Sequence, residues 1–153
     1  MRELFYELFQ NRVLIAAVAA WVVGQFLKIP LEYILNKRLN WGIIFSAGGL
    51  PSSHSASVTA VALTIGFQEG FNSPTFALAA AIAMIVIYDA AGVRRQAGIH
   101  AERINEIMKN FIESRIFPEE DLKEMLGHTP VEVIVGILLG VLISWLITIA
   151  IPN

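Results

Sequence analysis

Three short stretches hold most of the side chains in this chain that could do chemistry. "GGLPSSHSA" (48–56) sets Ser52, Ser53 and His54 beside two glycines and a proline. "YDAAGVRR" (88–95) supplies Asp89, Arg94 and Arg95, and "GHTPVEV" (127–133) supplies His128 and Glu132. Lys28 stands alone near the end of an apolar run. Guanidinium forks and a lysine point charge both suit phosphate oxygens. Imidazole exchanges protons near neutral pH. Backbone N–H groups of a glycine-rich turn that opens a helix favour an anion. Taken together, these residue types point to phosphoryl chemistry on a substrate whose tail lies in a membrane.

The elements that must position them are apolar. Of 153 residues, 56% are hydrophobic and 16% charged, outside the usual soluble balance. The length fits a single domain, 1–153. The apolar residues come as four blocks, 13–27, 50–67, 73–93 and 131–151. Each is near the roughly 20 residues a helix needs to cross a bilayer. The second is polar at its start and could be partly re-entrant. Lys28 and Pro30 stop the first block, which has no small-residue cleavage site after it and reads as a retained helix. The N-terminal "MRELFYELF" suits an interfacial helix. The segment "EYILNKRLNW" reads as the loop between blocks one and two, and "QEGFNS" as a tight turn between two and three. A long polar insert, about 94–129, contains an amphipathic helix at 100–117, then a break at Pro118 and a short helix at 119–126. The fold expected is all-α: a polytopic membrane bundle of about four transmembrane helices plus amphipathic interfacial or cytoplasmic helices. "GILLG" (136–140) has the small-xxx-small spacing of ordinary close helix packing, and the remaining small-residue faces suit a homo-oligomer.

Composition also excludes function classes. The net charge of −2 gives no footprint for nucleic acid. The absence of cysteine removes disulfides, thiolate catalysis and cysteine metal sites. No compact ligand spacing such as H-E-x-x-H occurs, so neither metal nor other cofactor is implied.

Parity then gathers the polar residues. With four crossings, the end of helix one, the start of two, the end of three and the start of four share one membrane face. Lys28, His54, Asp89, Arg94, Arg95, His128 and Glu132 therefore meet at one end of the bundle. The opposite end receives a short turn and few charges.

The motifs resemble those of the type 2 phosphatidic acid phosphatase (PAP2) superfamily. "PSSH" (51–54) is similar to its PSGH motif, and "GHTPVEVIVGILLG" (127–140) to the end of its last motif. Over nearly its whole length the chain resembles the divergent PAP2 subfamily. That resemblance implies a metal-free histidine phosphatase acting on a lipid or isoprenoid phosphate. His128 would be the nucleophile that becomes phosphohistidine, Glu132 would orient it, and His54 would protonate the leaving oxygen. Lys28, Ser52, Ser53, Arg94 and Arg95 would supply the phosphate grip, with one of the two arginines left as a topology or headgroup charge. Two departures stand out. No Arg-Pro follows Lys28 at the family's spacing, and Ser53 replaces the glycine of PSGH. These departures motivate an alternative: a non-catalytic lipid-phosphate binder that keeps the pocket. Arg94 and His100 also show the family's Arg-x5-His spacing. Ile104 stands where an acid belongs, however, so His128 is preferred and His100 reads as a solvated helix residue.

The same residues have structural readings. Thr129-Pro130-Val131-Glu132 spells a capping box with proline at the first helical position. Ser52 and Ser53 could cap the second helix. Lys28 could snorkel to the interface. Asp89 could pair with an arginine one turn on. Trp21, Trp41 and Trp145 read as interface or packing aromatics. Lys37, Arg38, Arg103, Lys109, Arg115 and Lys123 lie on the side of the site, against Arg2 and Arg12 on the other. The positive-inside rule therefore places the site at the cytoplasmic face.

Overall fold

A computed structural model describes residues 2–37, 39–46, 48–112 and 127–151. They form six α-helices and one 3-10 helix. These are α1 (Arg2–Gln10), α2 (Arg12–Asn36), the 3-10 helix (Trp41–Phe45), α3 (Ser53–Glu69), α4 (Pro74–Ala91), α5 (Val93–Ile112) and α6 (Pro130–Ala150). Among the described residues there is no strand. Three helices, α2, α4 and α6, are long and apolar enough to cross a bilayer, which gives the chain integral membrane character.

The second apolar block behaves differently. α3 has 17 residues, about 25 Å at the helical rise, and it is continuous rather than broken. It carries serines and threonines where the other three carry aliphatics. It also occupies the centre, packed against α2, α4 and α6.

The packing is inverted relative to a soluble protein. Among the described residues the buried hydrophobic core is seven alanines and one valine, while Leu14, Val18, Phe26, Leu78, Ile85, Leu138 and Trp145 face outward. Lipid is as apolar as leucine, so helices gain by close backbone approach rather than by burying large side chains. α6 shows the device. A Cβ at Gly136 would collide with the Ser52 carbonyl oxygen, and one at Gly140 with the Ala56 carbonyl oxygen. The two glycines of "GILLG" therefore seat α6 directly on the α3 backbone. Two turns deeper, the buried hydroxyls of Thr64 and Ser144 share a hydrogen bond of 3.0 Å across the same seam. On the other side of α3, Ser57 Oγ donates to the Ala17 carbonyl of α2 at 3.0 Å.

Three boundaries differ from the sequence expectation. α2 does not stop at Lys28 and Pro30 but runs two turns further, to Asn36. Proline removes one N–H and crowds the carbonyl four residues before it, yet neighbouring helices make such sites tolerable in membrane helices. The helix ends where Lys37 adopts a left-handed φ of 54° and its N–H caps the Tyr33 carbonyl. Lys28 therefore lies within a helix rather than at its end. Much of "EYILNKRLNW" is accordingly helical, and the true connection holds the 3-10 helix. α5 begins at Val93, directly after Gly92, earlier than the expected start at 100. The short helix expected at 119–126 lies outside the described residues.

Candidate functional site

The site begins on α2. Gln25 and Lys28 are one turn apart on one face of the helix, and both are buried. Lys28 has 0% of its surface exposed, so it does not snorkel. Its ammonium donates to the Ser46 carbonyl oxygen at 2.7 Å, in the segment that follows the 3-10 helix. The Glu132 carboxylate lies close enough for its charge to act on Lys28.

Two helix N-termini meet this lysine. Ser52 is the N-cap of α3. Its Oγ accepts from the Ser55 N–H at 3.3 Å and shares a bond of 2.9 Å with Ser55 Oγ. Thr129 is the N-cap of α6, and the full capping box forms. Thr129 Oγ1 accepts from the Glu132 N–H at 3.3 Å, and Glu132 Oε2 from the Thr129 N–H at 3.0 Å. The two starts are tied together by the Ser52 N–H, which donates to the Glu132 carbonyl at 3.0 Å. The His128 N–H donates to the Ala90 carbonyl at 3.2 Å and so fixes the end of α4 to the same corner. α3 and α6 thus run parallel with both positive dipole ends at Lys28, an arrangement that favours an anion.

The two imidazoles meet here. The rings of His54 and His128 lie 6.2 Å apart between centroids at 71°, an edge-on contact. His128 is 2% exposed, while His54 is half-buried. A phosphoryl group held between two imidazoles needs a hydrogen-bond length to each, roughly 2.6–3.2 Å.

Of the sequence-derived candidates, Lys28, Ser52, Ser53, His54, His128 and Glu132 are brought to one corner, with Asp89 next to the tied Ala90. Arg94 and Arg95 stand in the first turn of α5 beside this corner, but their side chains lie outside the described residues. His100 is exposed on α5. The glycine-to-serine departure at Ser53 has a local answer on α2. A Cβ at Gly24 would sit 3.1 Å from both Ser53 Cα and Cβ, so Gly24 makes the room that Ser53 fills.

Two features escaped the sequence reading. Gln25 is 7% exposed, and its Oε1 has no hydrogen-bond partner among the described residues. The signal was available: an amide inside a membrane-length apolar run, one turn from the only lysine there. The Ser46 carbonyl that holds Lys28 is backbone and leaves no mark in a sequence. Among the described residues, no group of three or more His, Asp or Glu side chains converges to hold a metal ion.

Residues 9–143 match the model of the divergent PAP2 family, a span that includes every residue of this corner. The chain belongs to the divergent PAP2 family. A protein of Bacillus subtilis (strain 168), described as the uncharacterized membrane protein YuiD, is 40% identical over 149 residues, covering 90% of this chain and 94% of that protein. No solved structure matches the chain. For this member of the divergent PAP2 family, the motifs that carried the resemblance are the segments that build the corner: 51–54 opens α3, and 127–140 opens α6.

Proposed function

We propose that this protein recognises the phosphate of a membrane lipid or isoprenoid phosphate at the corner formed by α2, α3, α4 and α6, as a binder that keeps a PAP2-like pocket. The observation that carries this reading is the enclosed Lys28 ammonium at the joined N-termini of α3 and α6. Glu132, which the hydrolytic reading assigns to orienting His128, also caps α6 through the Thr129 N–H, so its presence does not by itself require catalysis. What remains suits an anion: a buried ammonium, two parallel helix N-termini, and Arg94 and Arg95 in the next helix.

The second reading is hydrolysis through His128, and the juxtaposition of the two imidazoles favours it. An imidazole nitrogen of His128 would attack phosphorus, and the ester P–O bond would break with its electron pair leaving on oxygen. His54 would protonate that oxygen, and water would then release inorganic phosphate from phosphohistidine. Lys28, Ser52, Ser53 and Arg94 would stabilise the charge on the phosphoryl oxygens.

One experiment separates the readings. The purified protein in nanodiscs is offered a panel of lipid phosphate monoesters and a polyprenyl diphosphate, and both binding and phosphate release are measured. Saturable binding without release, retained in His128→Ala, is the expected result. Phosphate release that disappears in both His128→Ala and His54→Ala establishes hydrolysis instead. We further propose that the corner faces the cytoplasm, on the excess of lysine and arginine on its side. Asn110→Cys, in this cysteine-free chain, should then resist an impermeant thiol reagent applied to intact cells. Reaction from outside reverses the orientation.

A further inference from the structure

Lys28 poses a problem for any phosphate reading. Its ammonium is wholly enclosed, and a backbone carbonyl already takes one of its three donors. The carbonyl belongs to Ser46, the residue that closes the 3-10 helix and whose own N–H bonds back to Ile43. A second contact lies close by. A Cβ at Gly49 would fall 3.8 Å from Lys28 Cδ and 3.4 Å from Ile43 Cδ1. The described connection between α2 and α3 therefore folds back over the lysine stem and head. Besides the charge of Glu132 nearby, the hydrogen-bond partner is a neutral carbonyl, and a phosphate would be a stronger one.

The outer side of this connection is apolar and aromatic. Phe45 is 91% exposed, Trp41 64% and Leu39 59%. These side chains stand at the end of α2, a helix of membrane-spanning length, where tryptophan and other aromatic side chains belong in the headgroup region. No helix covers them, since among the described elements the 3-10 helix packs on α2 alone. The occupant that fits is the bilayer itself, continuous with the lipid around α2.

We infer that the segment from Asn40 to Ser46 is a membrane-seated cap on Lys28, and that an incoming lipid phosphate takes the ammonium from the Ser46 carbonyl and lifts the cap. This rests on the proposed phosphate recognition. The apolar outer side holds the cap at the interface, where a lipid phosphate arrives laterally, whereas inorganic phosphate arrives from water. Asn40 keeps the cap compact: its side chain accepts from the Gly42 N–H at 3.0 Å.

The test uses a single spin label at Phe45→Cys in the otherwise cysteine-free chain, reconstituted in phosphatidylcholine nanodiscs. Collision with oxygen and with a water-soluble nickel chelate reports depth. Binding of phosphatidic acid to the unlabelled protein is measured in parallel. The label is expected to be oxygen-accessible and nickel-shielded at the start. Nickel accessibility should rise at least two-fold with phosphatidic acid and much less with equal inorganic phosphate. Lys28→Met should give the raised value with no ligand. The phosphatidic acid arm keeps the native lysine, so it stands even if that variant does not fold. A label that is nickel-accessible from the outset overturns the seat in the bilayer. Phosphatidic acid binding with no change at the label overturns the cap and leaves phosphate recognition standing. Absence of phosphatidic acid binding overturns both. An equal response to inorganic phosphate overturns lateral entry.

Discussion

α3 and α4 are neighbours of almost equal length with opposite characters. α4 is a run of aliphatics with a proline at its start, and only Ala83 and Ala90 on it are buried. α3 has eight buried residues, every one of them Ser, Thr, Ala or Gly. Of the two, the helix that hydropathy identifies more readily is thus the one that faces lipid, and the one it finds harder to assign is the core. In a bilayer, hydropathy measures contact with lipid rather than centrality. A helix surrounded by other helices is free to carry the hydroxyls that bind them, and α3 carries the site at its first turn for the same reason.

The sharpest way to break this contrast is to add bulk on each side of it. Gly136→Val would push a branched side chain into the Ser52 carbonyl, where backbone cannot yield cheaply. Overpacking of this kind costs about 1–3 kcal/mol and sometimes more. We expect the largest loss of stability here, read as loss of helicity in a denaturing-detergent titration. Leu78→Ala on the outward face of α4 should stay within about 0.5 kcal/mol, as surface changes usually do. Similar losses at the two positions would refute the central place of α3.

Lys28→Met separates stability from function within the site. It replaces an enclosed cation with an apolar side chain of similar length, which removes a buried charge but leaves the Ser46 carbonyl without its donor, at a cost of about 1–3 kcal/mol. Lipid-phosphate binding should fall at least ~10-fold, about 1.4 kcal/mol. A protein that loses stability while keeping its affinity would show that Lys28 serves the fold and not the ligand.

Next in size is the α6 cap. Thr129→Ala removes the hydroxyl that accepts the Glu132 N–H and should cost about 1 kcal/mol. Glu132→Gln keeps an oxygen for the Thr129 N–H but removes the charge beside Lys28. Stability should barely change in that variant, so any shift in ligand binding reports the charge alone. Equal destabilisation by both would reduce Glu132 to a capping residue.

These contrasts also show what could be read from the chain. The alternation of helix direction put His54, His128 and Glu132 at one end of the bundle, while Lys28 reaches that end from within α2 and not from its terminus. The capping box was legible because its spacing is the structure. The course of α2 was not, because local rules treat Pro30 as a stop, while the neighbouring helices that override it are tertiary. Gly24 was unreadable for a related reason. Its meaning is the room it gives Ser53 on another helix, and no spacing within α2 records that. Ser46 acts through its carbonyl, which every residue has.

The smallest effect tests the finest part of the contrast. If α3 is central because lipid-excluded hydroxyls help join it to α6, then Thr64 and Ser144 should be energetically coupled. Each single change, Thr64→Val or Ser144→Ala, leaves one buried hydroxyl without this partner, while the double variant removes both groups. Coupling across such pairs in membrane proteins averages about 0.6 kcal/mol, because the unfolded chain in lipid also finds partners. We expect a double-mutant cycle to return a value of that size. A matched cycle on α4, Ile82→Ala with Ile85→Ala, should return none. Zero coupling at Thr64 and Ser144 would mean that the seam is held by the Gly136 and Gly140 backbone approach alone, and that the hydroxyl pair merely avoids a penalty.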